Sequence, residues 1–177
     1  MEMKPWELFT PQTVFMVTTK QGDKWRCKPF TWLAPLNKGP MFMLMARRNS
    51  QTLKNLLDNA AFSIATVPAS AFHAQYALMT TAPGPKTRLW PVAVQKGMTV
   101  PIAAGALVAA ECFFCGYSDI LGSFPQEEMF KVQGDLTHVM VLGRIESLTE
   151  AAAFDSPLLH RSGKVFASSK EFEVEGF

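Results

Sequence analysis

Residues 13–32 read TVFMVTTKQGDKWRCKPFTW, and the grammar of this stretch decides the fold class. Residues 13–19 are dense in β-branched and aromatic side chains, the composition of a strand. Lys20, Gln21, Gly22 and Asp23 are polar and include a glycine, which marks a hairpin turn. A second strand is expected over residues 24–32. The chain therefore opens with an antiparallel pair rather than with a strand and a helical crossover.

The same reading extends outward. Residues 41–46, MFMLMA, are apolar on both faces, as in a buried strand. A helix is expected over residues 50–59, where Leu53, Leu56 and Leu57 fall at helical spacing and Ser50 is a good N-cap. Residues 62–67 read as a strand closed by Pro68, and residues 70–79 as a short helix. Two long strands are expected over 107–115 and 137–148, separated by a loop carrying Glu127, Glu128 and Asp135. A short strand at 164–168 precedes a polar tail. Residues 80–106 are punctuated by Pro83, Gly84, Pro85, Pro91, Gly97, Pro101 and Gly105. They are expected to run over the surface, with a short helix near residues 87–93.

Six or seven strands, two or three helices and no βαβ alternation predict a closed or nearly closed, mostly antiparallel barrel with helices on its rim. No Gly-x-Gly-x-x-Gly follows a strand and no Walker-type loop occurs, which argues against a Rossmann nucleotide site and a P-loop. With no repeat or linker to divide them, the 177 residues read as one domain, with its core at about 10–168. Apolar residues make up 48% and charged residues 18%, a globular balance, and a formal charge of +2 favours neither nucleic acid nor a membrane surface. Residues 102–115, the most apolar stretch, are broken by Gly105 and Glu111 and too short to span a bilayer. Three cysteines suit a reducing compartment better than a disulfide framework, so a cytoplasmic location is expected.

The stretch most suggestive of chemistry runs Arg47-Arg48-Asn49-Ser50-Gln51-Thr52-Leu53. A strand ends and a helix begins here. The first N–H groups of a helix lack internal partners and the dipole is positive, so an anion gains several hydrogen bonds. Ser50 and Thr52 offer hydroxyls, and Arg47 and Arg48 offer forks suited to phosphate. The plainer reading is a capped helix with solvated arginines. A second stretch is Cys27-Lys28-Pro29-Phe30-Thr31-Trp32. In a strand Cys27, Pro29 and Thr31 would share one face, open to a flat ring, and Phe30 and Trp32 the other. A strand with one buried aromatic face explains the same pattern. Cys112-Phe-Phe-Cys115 lies in an expected strand, where residues three apart face opposite sides, so the sulfurs diverge. His73, His138 and His160 lack metal-ligand spacing, and no metal is expected. Met41, Met43 and Met45 share a strand face and read as core or interface.

Placed in order, TVFMVTT, KPFTWLAP, GPMFMLMARR, SQTLKNL, FSIATV, LVAAECFF, HVMVLGRIESL and SPLLHRSGKVF resemble the flavin reductase-like, FMN-binding family over nearly the whole chain. The order and spacing carry the resemblance, since no single motif is specific. It implies a mainly β, Greek-key split barrel with peripheral helices, dimeric, with FMN rather than FAD near the subunit interface. It places Ser50 and Thr52 at the phosphate, with Arg47, Arg48 and Gln51 beside it, and Lys28, Pro29, Phe30, Thr31 and Trp32 along the isoalloxazine. Thr31 becomes the candidate hydroxyl at the reactive edge, and His160, Lys164 and Phe166 lie near the open face of the ring. Cys27 stands where asparagine is common, Phe166 where tyrosine is usual, and Ser162-Gly163 where many members have two glycines.

The resemblance implies an oxidoreductase that moves a hydride from NAD(P)H to bound flavin and electrons on to free flavin, a ferric chelate or a redox protein. No strong acid or base is needed, in keeping with the absence of any such constellation in the sequence. A flavin carrier or electron-transfer partner without NAD(P)H turnover, and an empty barrel serving as an oligomeric module, are the alternatives.

Overall fold

The computed structural model describes residues 12–36, 38–69, 90–118, 138–150, 158–162 and 165–168. Its main element is a seven-stranded antiparallel sheet curled into a half-barrel. The strands are β2 (Phe15–Gln21), β3 (Lys24–Phe30), β4 (Leu33–Pro35), β5 (Met41–Arg47), β6 (Ala61–Thr66), β9 (Val108–Ser118) and β10 (His138–Glu150), in the order β3-β2-β6-β9-β10-β5-β4. A small sheet joins β1 (Gln12–Thr13), β11 (Leu158–Ser162) and β12 (Val165–Ser168), and a two-residue ribbon pairs β7 (Val92–Ala93) with β8 (Ile102–Ala103). Among the described residues the one named helix is α1 (Gln51–Asp58). It is too short to cross a membrane, and no other helix there is long and apolar enough.

The expected opening hairpin is present. Phe15 to Gln21 pair with Phe30 to Lys24, and Gly22 turns the chain at a φ of 56°, a value that favours glycine. The expected helix is also present, with Ser50 and Asn59 as its caps.

Two cores flank the sheet. The inner one gathers Val17, Phe42, Leu44, Leu56, Phe62, Val139 and Val141. The outer one lies where residues 90–106 fold back on β2, β3, β6 and β9, and contains Met16, Cys27, Ala65, Trp90, Met98 and Ile102. This overturns the expected surface course over residues 90–106, the described part of 80–106: Trp90, Met98, Val100 and Ile102 are buried. Nor does the described part of the expected 87–93 helix form. Trp90 bridges Cys27, its indole N–H donates to the Ala104 carbonyl at 3.1 Å, and Val92 and Ala93 are extended. Glu111 ties the segment down from the side, accepting from the Thr99 N–H at 3.1 Å and from the Thr99 hydroxyl. β2, sandwiched between the cores, buries Met16, Val17, Thr18 and Thr19 in succession.

β5 departs from the two-sided burial expected of it. Phe42, Leu44 and Ala46 face the inner core, whereas Met41, Met43 and Met45 are half-buried on the outside. Gly143 sits opposite Phe42 in the β5–β10 ladder, where an added Cβ would stand 2.9 Å from Cε1 and Cε2 of the Phe42 ring and closer still to Cζ. Gly143→Ala must therefore move a ring already packed against Phe62. The expected loss is about 1–3 kcal/mol, read from denaturant midpoints; an unchanged midpoint would show that the ring yields freely.

The three thiols divide by burial. Cys27 and Cys112 are buried, and Cys115 is exposed, in keeping with the divergence expected along β9. Burial pushes both inner thiols up to about 12, against a lowering bond from Thr18 at Cys27 and from the Ile64 backbone at Cys112. A thiol reagent at neutral pH should modify Cys115 alone until the protein unfolds. Because the folded thiols hold their protons more tightly than unfolded ones, stability is full below the ordinary value of 9.0 and declines as pH climbs toward about 12. Rapid labelling of all three cysteines in the folded protein would contradict this packing.

Candidate functional site

β5 and the turn after it organise the site. The strand carries Met43 and Met45 on its outer face and ends at Arg47. Arg48 and Asn49 follow, and Ser50 caps α1. The turn closes with Ser50 N–H donating to the Arg47 carbonyl at 2.9 Å. The Ser50 hydroxyl oxygen accepts from Leu53 N–H at 3.1 Å, and Lys54 N–H donates to the Ser50 carbonyl at 3.2 Å. That accounts for the third and fourth N–H groups of the helix. The Gln51 and Thr52 N–H groups are those a helix start leaves for an outside acceptor, and the Ser50 hydroxyl keeps a hydrogen to donate. No acidic residue stands in the first turn, and Arg47 and Arg48 are exposed beside it.

α1 is held firmly. Buried Asn55 donates to Thr19 Oγ1 at 2.9 Å and accepts from Gln51 Nε2 at 2.8 Å, linking the first turn of the helix to β2. Thr52 is buried, with 5% of its surface exposed. Ser50 and the backbone are thus better placed than the buried Thr52 hydroxyl to meet an outside acceptor.

Next to Met43 and Met45 lies a hollow of about 360 Å³, lined also by Thr13, Thr31, Trp32 and Leu33. Its size suits a small-molecule site, and it mixes sulfur, aromatic and hydroxyl groups. The expected strand over residues 24–32 stops at Phe30. Trp32 leaves the alternation, and its carbonyl accepts from Met45 N–H at 2.9 Å, so the connection to β4 is laid along β5. Phe30 therefore packs on the inner core while Trp32 is 48% exposed beside the hollow. The strand face expected to admit a flat ring at Cys27 is filled instead, because Trp90 covers it. Lys28 and Pro29 are exposed on β3 and are not among the residues described as lining the hollow.

The Trp32 ring lies 5.3 Å from that of His138, tilted by 52°. His138 is in turn the register partner of Arg47. Ring shelf, histidine and arginine thus form one continuous edge leading to the helix start. His138 was not singled out as a site residue from the sequence, because only the β5–β10 register brings it here. β11, also unforeseen, places the His160 backbone opposite Gln12, one residue before Thr13 of the hollow, and opposite Phe166 on β12. Lys164 lies outside the described residues, as do the expected 70–79 helix, the acidic loop and the tail. Among the described residues no cluster of His, Cys, Asp or Glu is arranged to hold a metal.

A family model for the flavin reductase like domain matches residues 8–169. No curated protein sequence matches significantly. Among solved structures, an FMN-binding protein from Thermus thermophilus superposes with a TM-score of 0.73 at 16% identity, covering 99% of this chain and 96% of its own. The styrene monooxygenase flavin reductase of Pseudomonas putida gives 0.70 at 13% identity, with 95% and 96% covered. An NADH:FAD oxidoreductase of Streptomyces globisporus gives 0.67 at 17% identity, with 97% and 98% covered. The half-barrel described above is the split-barrel fold of these proteins.

Proposed function

The chain belongs to the flavin reductase like family, and from that premise we propose that it is an FMN-dependent oxidoreductase using NAD(P)H. Electrons would pass on to a second acceptor of the flavin, ferric-chelate or redox-protein class. One observation carries the reading: β5 and its following turn place a hollow fit for a flat ring beside a helix start fit for a phosphate. The donor set matches FMN. Ser50, with the Gln51 and Thr52 N–H groups, would hold the phosphate, and Arg47 and Arg48 would neutralise it. Trp32, Met43 and Met45 would support the ring and keep water from one side of it. Thr31 would place a hydroxyl at its edge, and His138 would brace Trp32. Lys28, Pro29 and Phe30 would act by setting the course of the chain into Thr31. His160, Lys164 and Phe166 keep the roles that the family resemblance implies, near the open side. Bound FMN would supply the hydride-accepting and electron-passing chemistry; the chain's task is binding, orientation and exclusion of water.

The reading extends to a single cytoplasmic domain that forms a homodimer. Met41, Met43, Met45, Met140 and Leu142 are half-buried together on the outside of β5 and β10, an adaptable apolar face suited to a second copy.

The test is the visible spectrum of FMN-loaded protein, taken without oxygen before and after adding NADH or NADPH. Flavin bands that bleach support the reductase. Bands that persist support a flavin carrier or electron-transfer partner, and failure to retain FMN overturns flavin binding itself.

A further inference from the structure

The half-barrel has two ends, and they are built differently. α1 closes one, where Leu53 and Leu56 join Phe62, Val139 and Val141 in the inner core. Farther along the same strands, β6 passes Ile64 to Thr66 and β10 passes Ile145 to Leu148. There a second hollow of about 230 Å³ opens, walled also by Phe42 and Val108 and floored by Ala110. The hollow is open to solvent, with Leu148 exposed at its rim, so its apolar walls are left against water.

The lining states what would fill it. Among the described lining residues Thr66 alone bears a side-chain oxygen or nitrogen. Water needs two to four polar partners to be held, so the solvent in an open hollow with this lining is displaced readily by an apolar molecule. A space of about 230 Å³ has room for a substituted ring, and a charged molecule would find nothing to pair with. Phe15 and Leu33 line both this hollow and the one beside Trp32. The two spaces share a wall.

We propose that the open end of the barrel binds an uncharged aromatic or hydrocarbon-like small molecule. Its occupant acts on the neighbouring site by pressing on Phe15 and Leu33. This second half rests on the flavin reading; binding at the barrel end does not.

The experiment titrates p-xylene, with benzoate as the charged control, into apo and FMN-loaded protein by calorimetry. It is repeated on Ala110→Leu, which fills the floor of the hollow. Saturable one-to-one binding of p-xylene is expected in both forms of the wild type. Benzoate should give no comparable signal, and Ala110→Leu should weaken p-xylene binding by about tenfold or more. Saturating p-xylene should shift the FMN dissociation constant of the wild type by about fivefold and leave that of Ala110→Leu unmoved. Thermal unfolding of Ala110→Leu checks that the variant is folded, and Val108→Phe supplies a second way to fill the space. No saturable p-xylene binding, binding that survives both filled variants, or an FMN affinity indifferent to p-xylene would overturn the proposal. If the chain retains no FMN, the flavin reading falls on its own, and the apo titration still decides the barrel-end site.

Discussion

Ser50→Asp is expected to weaken FMN binding on the order of 100-fold or more while leaving the protein as stable as before. The two effects separate because Ser50 does two jobs with different atoms. Its oxygen accepts from Leu53 N–H and caps α1. Aspartate caps a helix equally well, and its charge is favourable at the positive end of the helix dipole. The hydroxyl hydrogen, by contrast, is the donor available to a phosphate, and aspartate replaces it with a negative charge. Losing a hydrogen bond to a charged group costs about 1.5–3 kcal/mol, and repulsion between anions near a protein surface adds to it. Riboflavin has no phosphate and should bind the variant and the wild type within about threefold, an energy difference of less than ~1 kcal/mol. Quenching of flavin fluorescence measures both affinities. Equal weakening of FMN and riboflavin would place the phosphate elsewhere.

The second large effect concerns the inner core. Phe62 is fully buried on β6, with its ring centroid 6.1 Å from that of Phe42 and the planes tilted by 60°. Phe62→Ala removes a ring from the layer between the sheet and α1, and the cavity closes poorly, because β9 is paired with β6 from Ala61 to Thr66 and β2 from Ser63 to Thr66. The expected loss is about 3–5 kcal/mol, a large share of the 5–15 kcal/mol typical of a natural domain. Urea unfolding of the apo protein reads it directly. Excess FMN should restore part of it by mass action. A loss below about 1 kcal/mol would mean that Leu44, Leu56 and Val139 repack into the space.

How far the sequence carried these conclusions differs by element. The hairpin was legible because a β-branched and aromatic run leads into a glycine turn, and α1 because leucine spacing and a capping serine agree. Residues 90–106 were misread for a physical reason. Met98, Val100 and Ile102 alternate as in a strand, but Gly97, Pro101 and Gly105 around them have the composition of a surface loop, and Trp90 stands apart from the series. What buries them is contact with Cys27 and Ala65, far away in sequence. The outer methionines of β5 were ambiguous because an apolar side chain on a sheet face does not say what covers it. In the site, Ser50, Thr31 and Trp32 came from local pattern and family resemblance. The partnership of Trp32 with His138, about 100 residues apart, needed the strand register.

The strand order also governs how the chain must be made. β5 pairs with β4 on one side and waits for β10 on the other; β6 pairs with β2 and waits for β9. About 80 residues separate the end of β6 from the end of β10. At ribosomal speeds of about 5–20 residues per second, that interval lasts roughly 4–16 seconds. Until β9 arrives the newborn polypeptide presents two open backbone edges, with Phe42, Leu44, Phe62 and Ile64 beside them, and until β10 arrives the β5 edge stays open, which is the form in which β-proteins stick to one another. β10, which seals the last of those edges at β5, also delivers His138 to Trp32, so escape from aggregation and completion of the ring shelf are one event in the life of the molecule.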